Sequence, residues 1–528
     1  MRDCSDEQQI ETAGASASGR GFGRCSWWIL TVVAFVIGAA GLISISILYT
    51  RGKIDYDYGI VIDAGSTHTK LFVYKWDPHK SSGTAIVRES GQKNNKNGIA
   101  SYEHNPEVAG QVVTDLLSHA ESIVAEDHRN STPLYLGATG GMRLLEIANP
   151  QATAAILQSV EKVMQNSLFR YQSRDYYWRA GGTCSWITVT PSTENLNKVQ
   201  LEGNQSWTKG ALDMGGASAQ ITFEPAANES WPSKYEARMK LYGIEYQVYT
   251  RSFLCYGKME AERRFKALLV QSANYSSTVE NPCAPKDNVT KSKHDELFKA
   301  PCVTGPEAQY AWGAVVPSPP SDQQNVTYTF EGTSDVNACY VQVLNMTSNC
   351  SDCPFENPSL QPPLNGEFMA FSSYYYVMEF FNVTSNSSGH VALSNFTEAM
   401  NSYCNKSWDE VSEIPVPASQ RAFLTTYCFD AQYMSMVLQR GFNFTGATWD
   451  SLRFVKDLEE SEVGWTLGFM VNATTFMPDA DDTPSTISVP VFIVLVVLFA
   501  LSLLASLAFC AHAHRASSMT PEQYERMP

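Results

Sequence analysis

This chain of 528 residues lacks any excess of positive charge: 38 lysines and arginines stand against 54 aspartates and glutamates, a net charge of −16. That balance argues against a nucleic-acid partner, since nothing here would neutralise a phosphate backbone. An anionic small molecule would have to be met by local N–H groups and a divalent cation rather than by a general positive field. Also absent are the Walker pattern Gly-x4-Gly-Lys-Ser, His-Glu-x-x-His and Gly-x-Ser-x-Gly, the signatures of P-loop, zincin and nucleophile-elbow chemistry. No small-residue cleavage site follows the first apolar run, which is too long for a signal-peptide core. That run reads as a membrane span.

Two uncharged apolar runs frame the chain, Trp27 to Tyr49 and Pro490 to Ala511. At 1.5 Å per residue each covers the ~30 Å hydrocarbon core. Arg2, Arg20 and Arg24 precede the first run, and His512, His514 and Arg515 follow the second, which favours both termini in the cytosol. The acidic cluster Asp479, Asp481 and Asp482 suits the outer side. Fourteen Asn-x-Ser/Thr sites lie between the runs, from Asn130 to Asn472, a density that fits a secretory-pathway surface. Of twelve cysteines, nine lie between the runs: Cys184, Cys255, Cys283, Cys302, Cys339, Cys350, Cys353, Cys404 and Cys428. An oxidising compartment predicts that most are paired, and nine leaves one over. The expectation is a multi-pass plasma-membrane protein with its large middle segment extracellular. The spans offer no small-xxx-small pattern from which to argue a homo-oligomer, and that state stays open.

Between the runs, one grammar occurs twice. Gly59-Ile60-Val61-Ile62-Asp63 reads as a strand ending in an acid, Gly65-Ser66-Thr67-His68 turns the chain, and Lys70 to Tyr74 reads as a second strand. Gly210 to Phe223 repeats strand, acid, small turn and strand around Asp213, Gly215, Gly216, Ala217 and Ser218. Such turns aim backbone N–H groups at an anion while the acid faces a metal. Two copies predict a duplicated fold with one phosphate-gripping hairpin per lobe and a cleft between. Helical spacing marks Asn105 to Glu126 and Ala152 to Phe169, and Pro133 to Ala138 reads as a strand leading into the turn Thr139-Gly140-Gly141. Strands alternating with helices predict an α/β sheet with ligands at the strands' carboxyl ends. The region from Asn274 to Pro363 is rich in Pro, Cys and glycosylation signals and predicts disulfide-pinned loops. Phe368 to Phe381 is strongly aromatic, and one exposed ring there would suit stacking of a nucleobase.

Asp63-Ala-Gly-Ser-Thr-His-Thr, Gly137-Ala-Thr-Gly-Gly-Met-Arg, Leu212-Asp-Met-Gly-Gly-Ala-Ser-Ala-Gln, Ser252-Phe-Leu-Cys-Tyr-Gly and Gly464-Trp-Thr-Leu-Gly, in this order, resemble the apyrase motifs of the ecto-nucleoside triphosphate diphosphohydrolases. The likeness is to the cell-surface members with a span at each end. It implies an α/β, two-lobed actin/Hsp70-like ectodomain, an RNase H-like fold in duplicate, and Ca2+- or Mg2+-dependent hydrolysis of extracellular nucleoside tri- and diphosphates to monophosphates. The implied organisation is a cytosolic tail (1–26), a span (27–49), lobe I (50–181), lobe II (182–455), a return to lobe I (456–488), a second span (489–511) and a tail (512–528). By position, the resemblance gives Asp63 and Asp213 the metal. Ser66, Thr67, His68, Thr139, Gly140, Gly215, Gly216 and Ala217 would line the phosphates, Ser218 and Gln220 would position the attacking water, and Tyr376 and Tyr427 would stack the base. It also implies the pairs Cys255–Cys302, Cys283–Cys339 and Cys404–Cys428, with Cys350 and Cys353 a further pair.

The resemblance breaks at 174–186. Where the family reads approximately Ile-Ile-Thr-Gly-Gln-Glu-Glu-Gly, with the second Glu as general base, this chain has Asp175-Tyr176-Tyr177-Trp178-Arg179-Ala180-Gly181-Gly182, which puts Gly182 at the base's place. Codons account for the change. ATT-ATT-ACT-GG read one base early after a G gives GAT-TAT-TAC-TGG, Asp-Tyr-Tyr-Trp, and CAG-GAG-GA after a G gives GCA-GGA-GGA, Ala-Gly-Gly. The stretch therefore reads as an out-of-frame translation in which Arg179 alone is extra, and the unpaired Cys184 falls inside it. Taken literally, the sequence implies the alternative of a catalytically impaired nucleotide-binding surface protein. A kinase of the same two-hairpin superfamily and a receptor without ligand are the remaining competitors.

Overall fold

The computed structural model describes residues 20–50, 56–172, 181–190, 208–321, 326–346, 353–355, 360–383, 389–418, 420–458, 461–479 and 489–518. Asp175 to Ala180 lie outside them. The apolar run before Asp63 forms β1 (Asp57–Ala64), which turns through four residues into the antiparallel β2 (Thr69–Trp76). β3 (Arg88–Asn95) joins the far side of β2. The chain then crosses through a helix at Pro106–Ile123 to β4 (Pro133–Ala138), parallel to β1, and through helices at Gly140–Ala148 and Pro150–Gln165 to the short β5 (Arg170–Tyr171). The second of these starts where Asn149 accepts from the Ala152 amide ahead of a proline-led first turn. Val112, Val113, Leu116 and Leu117 of the first helix and Ile156, Val160 and Met164 of the last bury against Ile60, Ile62, Leu71 and Val73, as their 3.6-residue spacing requires. The sheet order is β3-β2-β1-β4-β5.

A second sheet repeats it. β6 (Gly210–Met214) and β7 (Ser218–Phe223) form the hairpin, with β8 (Glu236–Leu241) and β9 (Ile244–Leu254) beyond β7. After a helix at Lys258–Ser272 comes a small sheet of β10 (Thr278–Asn281), β11 (Val289–Lys293) and β12 (Thr327–Gly332), in the order β10-β12-β11. Loops were expected here. Alternating burial along β12, with Tyr328 and Phe330 in the core, explains why regular strands form despite the prolines. β13 (Phe368–Ser372) and β14 (Leu452–Phe454) complete the main sheet, whose order is β14-β13-β6-β7-β9-β8. Leaving out β8, the hairpin, its outer antiparallel neighbour and two parallel strands recur in the same sequence as in the first sheet.

Disulfides Cys255–Cys302, Cys283–Cys339 and Cys404–Cys428 form as the resemblance implied. Cys353 is bonded as well, with its partner outside the described residues. Cys184 is a buried free thiol. The two halves meet through a pair of helices. Gly181–Val189 lies on the second sheet and Trp465–Thr474 on the first, and they touch where the Thr188 hydroxyl donates to the Gly464 carbonyl (2.6 Å) and accepts from the Gly468 amide (2.8 Å). After that second helix the chain closes against β2: the Lys80 ammonium donates to the Met477 carbonyl (2.5 Å) and lies 3.5 Å from Asp479.

Residues 20–50 and 489–518 form two long helices that pack together as a separate unit. Ser502 and Ser506 hydroxyls donate to the carbonyls of Ala34 and Thr31 (3.1 Å each). Among the described residues one helix, Val491–Ala511, is long and apolar enough to cross a membrane. The described apolar part of the other, Thr31–Ser46, is shorter, so two spans are not established.

Candidate active site

A cleft of about 640 Å³ lies between the two hairpins, and its walls carry all fourteen site residues named from the sequence. The β1–β2 turn supplies Asp63, Ser66, Thr67 and His68, and the β6–β7 turn supplies Asp213, Gly215, Gly216, Ala217, Ser218 and Gln220. Thr139 and Gly140 come from the end of β4. The two turns touch. A β-carbon on Gly216 would stand 2.6 Å from the Ser66 hydroxyl and 2.9 Å from Thr67, and one on Gly140 would stand 2.9 Å from Ala217. Glycine at both positions is what allows the halves to approach this closely.

Asp63 and Asp213 sit at matching points of the two hairpins, opposite Lys70 and Gln220 respectively. One Asp63 oxygen is buried without a hydrogen-bond partner, while the other lies 3.6 Å from His68 Nε2. The Asp63 carboxylate beside it raises His68 above its usual range, although burial opposes it. Burial pushes Asp213 up to about 6, a Ser372 hydrogen bond lowers it, and the Asp63 charge raises it further. An orphaned oxygen and two carboxylates that repel each other fit a divalent cation between them. Among the described residues no group of three or more His, Cys, Asp or Glu is arranged to hold a metal, so most ligands of such an ion would be water and substrate oxygen.

Gln220 Nε2 donates to the Ser218 hydroxyl (2.6 Å) and the Ser252 hydroxyl (3.1 Å). Ser218 and Gln220 of this chain of polar groups line the cleft. Gly181 and Gly182, in the stretch that departs from the family pattern, differ in their surroundings. A β-carbon on Gly182 would stand 2.7 Å from Thr222 and 2.9 Å from Thr250 Oγ1, whereas one on Gly181 would meet nothing within 4 Å, and Gly181 lines the cleft. Of the two, Gly181 has room for a side chain at the cleft, whereas Gly182, which the resemblance puts at the base's place, does not.

The two rings that the resemblance gives to the base differ in exposure. Tyr376 lines the cleft and is 43% exposed, but Tyr427 is only 3% exposed and stacks on Phe380 at 3.6 Å, which covers a face that a base would need. The second open ring is Phe423, also 43% exposed, with the Lys258 ammonium 4.4 Å from its centroid. Lys258 donates to the buried Asp430 carboxylate (2.8 Å). Lys70, Arg143 and Lys456 also line the cleft, so cationic side chains supplement the local N–H groups expected there. Lys70 pairs with Glu462, and Arg143 reaches across to the Ser252 hydroxyl (3.4 Å). Lys258 immediately follows the Ser252–Gly257 motif and Arg143 ends the Gly137 motif, so both were within reach of a sequence reading. Phe423 carried no local signal.

A family model described as GDA1/CD39 (nucleoside phosphatase) matches residues 51–486. Ectonucleoside triphosphate diphosphohydrolase 1 of Mus musculus is 32% identical over 91% of this chain and 94% of the mouse protein. Ectonucleoside triphosphate diphosphohydrolase 8 of Gallus gallus is 35% identical over 80% of this chain and 83% of the chicken protein. A crystal structure of nucleoside triphosphate hydrolases from Neospora caninum superposes with a TM-score of 0.54, covering 80% of this chain and 93% of that one at 13% identity, a likeness of fold alone.

Proposed function

Because the chain belongs to the GDA1/CD39 (nucleoside phosphatase) family, we propose that it hydrolyses extracellular nucleoside tri- and diphosphates to monophosphates by attack of water on the terminal phosphate. The observation that carries this reading is the meeting of two acid-bearing turns, Gly216 against Ser66 and Thr67, at one cleft. Phosphoryl transfer needs positioning and charge neutralisation more than covalent chemistry. Asp63 and Asp213 would hold Ca2+ or Mg2+, which when bound neutralises phosphate charge. The turns 65–68 and 215–217, with Thr139 and Gly140, would cradle the phosphates through backbone N–H groups, helped by Arg143 and Lys258. Ser218 and Gln220 would orient the water. Tyr376 and Phe423 would flank the base.

The second reading is a nucleotide-binding surface protein with impaired hydrolysis, and the vacant wall at Gly181 favours it. Malachite-green phosphate release from ATP and ADP separates the two. Release well above that of Asp213→Asn supports the hydrolase, and release equal to it supports the binder. Transfer to an acceptor other than water would instead mark a kinase.

The chain is placed at the plasma membrane with two spans, in the order tail, span, lobe I, lobe II, return and span given above, and with the catalytic body outside. Of the ten sequon asparagines among the described residues, eight are exposed, Asn472 is half-buried and Asn288 is buried. The disulfides fit the same compartment. Enzymatic removal of N-glycans should lower the apparent mass, and an unchanged mass would place the body elsewhere.

A further inference from the structure

The open ring of Phe423 lines the cleft from a single short turn of helix at Arg421–Phe423, a slight support for a group meant to hold a ligand. Something else must fix it. The Lys258 ammonium stands over the ring, 4.4 Å from its centroid, within the reach of cation–π attraction. A lysine ammonium on its flexible stem is strongly hydrated and would leave such a ring for water unless it were fastened. Here both ends of the side chain are fastened. The Lys258 amide donates to the Gly215 carbonyl (3.0 Å), so the stem starts at the second acid-bearing turn, and its ammonium donates to Asp430 Oδ2 (2.8 Å). The same Asp430 oxygen accepts from the Thr426 hydroxyl (3.0 Å), and the Thr426 amide donates to the Phe423 carbonyl (3.0 Å). One oxygen therefore reaches Phe423 twice, through the cation over its ring and through the backbone behind it. Asp430 is fully buried, and its other oxygen has no hydrogen-bond partner. A buried ion pair with an orphaned oxygen is a poor way to stabilise a helix, because desolvation offsets the attraction.

We propose that Asp430 is a positioning residue: its carboxylate keeps the Lys258 ammonium over one face of Phe423 and so fixes the ring for its other face to stack a nucleotide's base. This rests on the reading that the cleft binds nucleotides. The test uses full-length protein in detergent, titrated calorimetrically with the β,γ-imido analogue of ATP and separately with imidodiphosphate, which has no base, each in excess Mg2+. Asp430→Ala, which removes the acceptor, and Asp430→Asn, which keeps its shape, should each weaken binding of the ATP analogue about 5-fold, the low end of what one stacked base contributes. Imidodiphosphate binding should change less than about 2-fold, as should analogue binding when Asp430→Asn is added to Phe423→Ala, because Asp430 acts through the ring. Unchanged analogue binding in both single variants overturns the proposal. A parallel loss with imidodiphosphate also overturns it, since the pair would then serve the phosphates. So does a 5-fold loss that persists without the ring, the mark of a merely structural role. A wild-type protein that binds neither ligand would overturn the nucleotide reading itself, and this proposal with it.

Discussion

The two hairpins share a backbone but not an environment. Aligned through their identical four-residue turns, Gly65 answers Gly215, Ser66 answers Gly216, Thr67 answers Ala217, His68 answers Ser218, and Lys70 answers Gln220. The first turn is polar and bears charge. Its acid lies beside His68 and across from a lysine that pairs with Glu462. The second turn is small and nearly apolar, and its acid is pushed up to about 6 by burial. Duplication thus conserved where the acids sit and diverged in how each is solvated. The first half sets its acid beside a histidine and a lysine. The second sets its acid beside a neutral amide and hydroxyls.

The largest effect should come from refilling the second half's vacant position. Gly181→Glu is expected to raise phosphate release from ATP by roughly 10²–10⁴-fold, the range typical of a general base. No gain would mean that the wall at Gly181 is not where the base acts. Next, Asp63→Asn and Asp213→Asn should each lower metal-dependent release about 10²-fold or more, whereas thermal unfolding without metal should separate them. Asp213→Asn removes a buried charge and should raise the midpoint; Asp63→Asn should leave it nearly unchanged. Equal shifts would erase the distinction between the two turns.

A third test reads a buried acid of the second half other than Asp213. Burial raises Asp430 to about 6 from 3.8, and Lys258 pulls it back down. The folded state therefore keeps a proton that the unfolded chain has released. Its contribution to stability is full below about pH 4, lost as pH rises to about 6, and flat above. Asp430→Asn should flatten that slope, by on the order of 1–3 kcal/mol between pH 4 and 6. A slope that survives the change would assign it to other groups. The smallest expected effect is at the base. Phe423→Ala should raise the KM for ATP about 10-fold, in line with 1–3 kcal/mol per stacked base, and leave tripolyphosphate hydrolysis unchanged. A parallel loss with tripolyphosphate would place Phe423 outside the base subsite.

What could be read from the chain alone was whatever is encoded locally. Strand, acid, glycine turn and strand are contiguous in sequence, so both hairpins and their phosphate-facing residues were legible, as were helices whose apolar faces repeat every 3.6 residues. Features made by distant segments were not. Phe380 covers Tyr427 from 47 positions away. Phe423 is an open ring in the segment that leads into the helix at Tyr427–Met436, where Cys428 is bonded to Cys404. The strand β12 was hidden because a Pro- and Cys-rich stretch reads as loop until Tyr328 and Phe330 find a core.

The route of the chain through the 56–479 body has a mechanical consequence. It enters at β1, visits the second sheet, and returns through Trp465–Thr474 to finish at Asp479 beside Lys80 of the first. Both ends of that body lie in the first half, and the second sheet is a side branch, joined by the 172–208 connection, the paired helices and the strand-to-helix return after Phe454. A swing of the second half about those joints therefore need not displace either end of the body.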